Sequence, residues 1–382
     1  MGMDQKMKIG VLTSSRADYG IYLPLLKELS SDSLFDVRML VFGSHLSKIY
    51  GNTVELIKND GYNIQVKFET LSDDDTPEAI SKSMARTVSE FSHHWGKENY
   101  DLVLALGDRY EMFAAVTSGI PFNLKIAHIH GGETSLGSID NIFRHSITLA
   151  SKYHFVSCRQ HGLKVAKLTG SKDKIFNVGA LGLDNIKTMD LLSKSEFYSR
   201  YKVDLSKPTL LLTIHPETHS SSDNKKNVTE LVKSIECLRN FQFLITLPNT
   251  DSENMFIREQ LLKLGVADGK RIFCFKNLGT NAYLSAMKNC SFLIGNSSSG
   301  IIEAASLGKW VIDLGERQKG RMCSKNVFNV PFEKESILKA ISKISRLPDF
   351  NGRNIYSNGF ASKKIVEILK EHYEEICGFY NK

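Results

Sequence analysis

Carboxylates, arginines, a histidine and a run of serines stand in this chain where short apolar stretches end, and that placement points to chemistry. Gly107-Asp108-Arg109 follows Leu102–Leu106, and Gly131-Gly132-Glu133 follows Ile126–His130. A carboxylate directly after a buried strand, beside glycines that leave room for a ligand, suits proton transfer. Asp140, Arg144 and His145 come shortly afterwards. A structural reading stands beside the chemical one: Asp108 would cap a helix starting near Glu111, and Glu133 would pair with Arg144. Two such strand ends in one half of the chain favour catalysis. Asp108, Glu133 and Asp140 are therefore the candidate catalytic carboxylates, with Arg109 and His145 as candidate ligand contacts.

The loop after Lys8–Thr13 reads Ser14-Ser15-Arg16-Ala17-Asp18-Tyr19-Gly20. It lacks the Gly-x-Gly-x-x-Gly turn through which a backbone approaches a dinucleotide pyrophosphate, so a nicotinamide or flavin dinucleotide is not expected. It offers Arg16 to phosphate oxygens and Asp18 as a further carboxylate, or else a plain capped loop. In the second half, Leu210–Ile214 runs into His215-Pro216-Glu217-Thr218, where the proline ends the strand and leaves His215 at its tip. The next strand ends at Pro248-Asn249, with an amide in the equivalent place. Gly295-Asn296-Ser297-Ser298-Ser299-Gly300 joins a strand to a helix. Free N–H groups and hydroxyls at such a junction form an anion cradle, or a simple cap. Without a P-loop lysine, triphosphate hydrolysis with magnesium is not indicated, whereas a diphosphate diester would suit Ser297 and Ser298. Glu303 could accept from ribose hydroxyls, and Arg317 to Arg321 bring cations near another strand end.

The elements that must hold these residues follow a regular rhythm. Lys8–Thr13, Val37–Phe42, Leu102–Leu106, Ile126–His130, Tyr153–Ser157 and Ile175–Val178 read as strands. Several are apolar almost throughout, as expected when helices cover both faces of a parallel sheet. Helix-period stretches lie between them, such as Glu78–Trp95 and Arg159–Leu168. The rhythm restarts at Leu210–Ile214 and continues through Phe243–Leu247, Ile272–Phe275, Phe292–Gly295, Val311–Leu314 and Val327–Val330. Two series of βα units predict an α/β protein of two Rossmann-like doubly wound domains facing a cleft. The boundaries are placed at 1–173 and 174–358, with a closing helix in 359–382 packing back on the first domain.

Composition bounds the partners. The 382 residues include 49 basic and 42 acidic ones, a net charge of +7, and 42% are apolar, which is a globular profile. The basic residues are dispersed, which favours a small anion over nucleic acid. The longest stretch without Asp, Glu, Lys or Arg is Asn289–Ile302, too short and too polar for the roughly 20 apolar residues of a membrane span. No apolar signal segment opens the chain, so a cytoplasmic location is the expectation. Six scattered cysteines without Cys-x-x-Cys spacing predict neither a zinc site nor a disulfide framework.

Taken in order, Ser15–Gly20, Gly107-Asp108-Arg109, His130-Gly131-Gly132-Glu133, His215-Pro216-Glu217-Thr218 and Gly295–Gly300 resemble the hydrolysing UDP-N-acetylglucosamine 2-epimerases, over about Lys8 to Tyr373. The non-hydrolysing relatives typically read Gly-Thr-Arg-Pro-Glu, Gly-Asp-Thr and Glu-Ala-Gly-Leu-Arg at the first three places, and this chain departs from all three. The resemblance implies a GT-B-like fold with the nucleotide held mainly by the second domain. It implies conversion of UDP-N-acetylglucosamine and water to N-acetylmannosamine and UDP in sialic acid biosynthesis, without metal or other cofactor. It also implies a homodimer or homotetramer. Catalytic roles fall on Asp108, Glu133, Asp140, His215, Arg16 and Asp18, and binding roles on Arg109, His145, Asn249, Ser297, Ser298, Glu303 and Arg321. The same motifs would serve a 2-epimerase of UDP-N,N'-diacetylbacillosamine in legionaminic acid synthesis. A GT-B glycosyltransferase and a non-catalytic UDP-sugar sensor are further readings.

Overall fold

The computed structural model describes residues 6–72, 74, 76–136, 138–217, 223–248 and 254–378. Asn249 and Thr218 therefore lie outside the described residues. The strands are β1 (Met7–Thr13), β2 (Phe35–Phe42), β3 (Ile64–Phe68), β4 (Leu102–Leu106), β5 (Ile126–Ile129), β6 (Tyr153–Val156) and β7 (Ile175–Asn177) in the first half. The second half has β8 (Thr209–Thr213), β9 (Gln242–Thr246), β10 (Ile272–Phe275), β11 (Phe292–Gly295), β12 (Val311–Leu314) and β13 (Val327–Val330). They form a seven-stranded sheet in the order β3-β2-β1-β4-β5-β6-β7 and a six-stranded sheet in the order β10-β9-β8-β11-β12-β13. Pairing is parallel at every described step, from β1 with β2 to β12 with β13. Both sheets start with the doubly wound 3-2-1-4-5 order, so each reverses direction once, between β1 and β4 and between β8 and β11.

Two units carry these sheets. The first holds residues up to Glu133, Asp140–Asn185 and the chain from Tyr356 onward; the second holds Thr134–Ile139 and Ile186–Ile355. The first unit extends past residue 173, where the sequence rhythm placed the boundary, because β7 pairs with β6 through His154, Phe155 and Val156. The C-terminal helix Ala361–Glu371 buries Ile365 and Leu369 in the core that β1 and the helix Arg16–Ser30 also build. Each fully buried aliphatic side chain of this kind contributes roughly 1.5–3 kcal/mol. Asp184 fixes the start of that helix by accepting from the Ala361 and Ser362 N–H groups at 3.2 and 2.7 Å. Apolar runs such as Leu102–Leu106 and Leu210–Leu212 are buried between helical layers, as their unbroken apolar character requires. The edge strand β3 was not visible in the sequence rhythm: Ile64-Gln65-Val66-Lys67-Phe68 carries a lysine and stays half exposed. No described helix is long and apolar enough to cross a membrane.

Candidate active site

In the first unit the loop after β1 is built around Asp18. Its carboxylate accepts from the Thr13 hydroxyl, from the Ser14 N–H at 3.0 Å and hydroxyl at 2.9 Å, and from the Ser15 N–H at 3.0 Å. Ser15 and Asp18 also form a capping box for the helix Arg16–Ser30. Burial alone would push the Asp18 carboxyl up, but His45 and these donors hold it below its ordinary value. Asp18 thus fixes the loop, and it sets Arg16 as the first residue of that helix, half-buried. His45 lies beneath, with Nε2 2.9 Å from Thr13 Oγ1 and Nδ1 2.8 Å from Thr53 Oγ1.

Across the reversal point, β4 delivers Asp108. Because β4 pairs with β5 through Leu106 and Ile129, Asp108 and Glu133 leave neighbouring strands at the same end of the sheet. Asp108 makes an ion pair with Arg144, whose side chain is 2% exposed against 26% for that of Asp108. The helix Tyr110–Gly119 starts without a side-chain cap, so Asp108 is spent on Arg144 and not on capping. Arg109 turns to the buried Glu111, with Nε and Nη2 3.2 and 3.1 Å from its two oxygens. His128 ties the carboxylate loop down from below, with Nε2 2.8 Å from the Gly107 carbonyl oxygen.

Glu133 is 1% exposed and accepts from His130 Nδ1 at 2.8 Å and from the Ser157 hydroxyl at 2.9 Å. Asp140 opens the helix Asp140–Leu149, half-buried, and Arg144 and His145 lie one turn along it. Burial, with the charges of Lys164 and Arg144, pushes His145 down to about 4, so its ring is neutral near pH 7.

In the second unit the reversal point carries His215 after β8 and Asn296 after β11. The Asn296 side chain accepts from the His215 N–H at 2.7 Å and donates to the His215 carbonyl at 2.9 Å. Gln318 donates to the Asn296 carbonyl at 2.7 Å, and Arg321 donates to Gln318 Oε1 at 2.9 Å. One hydrogen-bonded line therefore joins His215 to Arg321. Between them, Ser297 caps the short helix Ser298–Ile302, and its hydroxyl lies 3.0 Å from that of Ser299. Glu303 follows directly on that helix, half-buried. Gly295 has φ +133°, and a Cβ there would stand 1.9 Å from the Thr213 carbonyl oxygen, so no larger residue fits the turn.

Sequence reasoning missed two carboxylates here. Glu217 accepts from the N–H groups of Glu316 and Arg317 at 2.6 and 3.2 Å, and burial pushes its carboxyl up. Asp313 lies in β12, buried, and burial pushes it up to about 7 against the pull of Arg317 and Arg321. Its position inside the run Val-Ile-Asp-Leu was the available signal, since a carboxylate in a fully buried strand needs a reason. Among the described residues no group of three or more His, Cys, Asp and Glu is placed to hold a metal ion.

Two doubly wound parallel units with polar groups gathered at their strand ends define an α/β protein of the GT-B-like class. The chain matches the family model described as UDP-N-acetylglucosamine 2-epimerase over residues 27–370 and belongs to that family, a family of enzymes. It is similar to a Legionella pneumophila protein described as UDP-N,N'-diacetylbacillosamine 2-epimerase (hydrolyzing), with 33% identity over 367 residues and 95% of each chain covered. It is also similar to the Escherichia coli polysialic acid biosynthesis protein P7, with 34% identity over 370 residues, 95% of this chain and 94% of that one. Its fold is similar to the crystal structure of Methanocaldococcus jannaschii UDP-GlcNAc 2-epimerase in complex with UDP-GlcNAc and UDP. That likeness has a TM-score of 0.79 at 19% identity, over 96% of this chain and 100% of that one.

Proposed function

We propose that this chain is a hydrolysing 2-epimerase that converts UDP-N-acetylglucosamine and water into N-acetylmannosamine and UDP, in sialic acid biosynthesis. In this reading it works in the cytoplasm as a homodimer or homotetramer. The observation that carries the proposal is the pair of carboxylates, Asp108 and Glu133, leaving adjacent parallel strands at one end of the first sheet. The proton at sugar C2 is weakly acidic, so its removal must accompany cleavage of the C1–oxygen bond to UDP. A carboxylate takes that proton, the C–H electrons form the C1–C2 double bond, and UDP leaves with the C1–oxygen pair, giving a glycal. Water then adds: its oxygen bonds to C1, while a proton returns to C2 from the opposite face.

Positive charge builds at C1 during that addition, and an ionised Asp108, Glu133 or Asp140 favours it. The Arg144 guanidinium pairs with the Asp108 carboxylate at this strand end. On the nucleotide side, Arg16, His215 and the Ser297–Ser298 turn stabilise the charge gained by departing UDP. Asp18 acts in this scheme by setting the loop that carries Arg16. Arg109, His145, Glu303 and Arg321 remain the proposed binding residues, with Arg109 and Arg321 each steadied by a neighbour, Glu111 and Gln318 respectively.

A second substrate, UDP-N,N'-diacetylbacillosamine, is favoured by the name of the Legionella pneumophila relative at 33% identity. The two sugars differ at C4 and C6, and the C1–C2 chemistry is the same. Purified protein is incubated with each UDP-sugar, and free UDP and free sugar are followed by NMR. The expected result is UDP with N-acetylmannosamine from UDP-N-acetylglucosamine. UDP released only from the bacillosamine derivative would transfer the assignment to that substrate. Release from neither would refute both.

A further inference from the structure

The hydrogen bonds around Glu133 run in one direction. His130 Nε2 accepts the Leu181 N–H at 3.3 Å, so the ring proton resides on Nδ1 and is donated to Glu133 Oε1 at 2.8 Å. The Ser157 hydroxyl gives its single hydrogen to the same oxygen at 2.9 Å. Ser157 Oγ also lies 2.9 Å from His161 Nδ1, so that nitrogen must supply the hydrogen of the second bond. These donors point towards the carboxylate.

The backbone is shaped for the same arrangement. His130 leaves β5 at φ +68°, a left-handed conformation that is unfavourable for a residue with a Cβ. Gly132, at φ +78°, lets the loop close over the helix Arg159–Thr169, where a Cβ would stand 2.4 Å from the His161 carbonyl oxygen. Strain at the residue that aims a donor at a carboxylate is the mark of a positioned group.

We propose that His130, Ser157 and His161 are positioning residues that hold Glu133 as an ionised carboxylate in a single orientation. The proposal deepens the epimerase reading above and rests on it for the role of Glu133. Two other titratable groups near Glu133 are uncharged. Burial pushes His128 down to about 3, leaving it neutral, and burial with the Glu133 charge pushes the Cys158 thiol up. The hydrogen bonds donated by His130 and Ser157 favour the charged form of the carboxylate.

The test compares wild type, Ser157→Ala and Ser157→Thr across pH 5 to 9 with the UDP-sugar that the wild type turns over. Ser157→Ala removes one donor without opening a cavity. Its kcat is expected to fall roughly tenfold with KM nearly unchanged, as for a lost hydrogen bond to a charged group. The acid limb of kcat is expected about one pH unit higher. Ser157→Thr restores both, because the hydroxyl returns. His161→Asn, which keeps an N–H donor where Nδ1 stands, is expected near wild type, whereas His161→Ala follows Ser157→Ala. A Ser157→Ala enzyme with an unmoved acid limb, or a uniform loss that threonine does not rescue, overturns the proposal. The shift is also read without turnover, from pH titration of the 13C-labelled Glu133 carboxyl assigned with Glu133→Gln. A titration unchanged by Ser157→Ala overturns the proposal on its own, whereas a wild type inactive on every UDP-sugar overturns only the functional reading.

Discussion

Asp313→Asn should make the protein more stable, and by an amount that depends on pH. Asp313 is 3% exposed, pairs in register with Gly295 of β11, and has Oδ1 buried without a hydrogen-bond partner among the described residues. Burial pushes its carboxyl from 3.8 up to about 7. Between about pH 4 and pH 7 the folded protein thus keeps a proton that the unfolded chain has released. Stability contributed by this group is complete below pH 4, is lost as pH rises through that window, and stays lost above pH 7. The window spans about three pH units at about 1.4 kcal/mol each, an upper figure of about 4 kcal/mol. Asparagine keeps the shape and carries no charge. Urea unfolding of wild type and Asp313→Asn from pH 4 to 8.5 reads the difference, in which Glu217 largely cancels. The variant's advantage should grow across the window and level off near pH 7. A difference that stays flat with pH would refute the reasoning.

Further outcomes follow from the same geometry. Gly295→Ala would set a Cβ 1.9 Å from the Thr213 carbonyl oxygen at φ +133°, so a loss of about 3 kcal/mol or more is expected, read by thermal melting. Asp108→Asn and Glu133→Gln should each lower turnover roughly 100-fold or more while UDP still binds by calorimetry; wild-type turnover in either would remove that residue from the chemistry. Arg144→Met should destabilise by roughly 2 kcal/mol in chemical denaturation. That is less than for a fully buried pair, because the Asp108 side chain is 26% exposed.

What the sequence revealed and what it hid have a common physical cause. Strands such as Leu102–Leu106 and Leu210–Thr213 were legible because a strand covered on both faces is apolar throughout, and His215 was legible because Pro216 ends its strand. The edge strand β3 was not, since one side of it faces water. The role of Asp18 could have been read, because Ser15 and Asp18 have capping-box spacing. The partner of Asp108 could not, as Arg144 lies 36 residues away and meets it only through the packing of a helix on the sheet. The Ser157 donor to Glu133, the His161 nitrogen that bonds Ser157, and the tie from Asn296 to His215 across 81 residues are likewise products of tertiary structure. Residue type marked the candidates; the sheet order selected their partners.

The central claim is that C2 of a UDP-2-acetamido sugar is deprotonated and that UDP departs in the same turnover. Incubation with UDP-N-acetylglucosamine in deuterated water, followed by NMR, tests it directly. The account predicts free UDP together with N-acetylmannosamine carrying deuterium at C2. Inverted sugar still joined to UDP, or free sugar with hydrogen retained at C2, would contradict it.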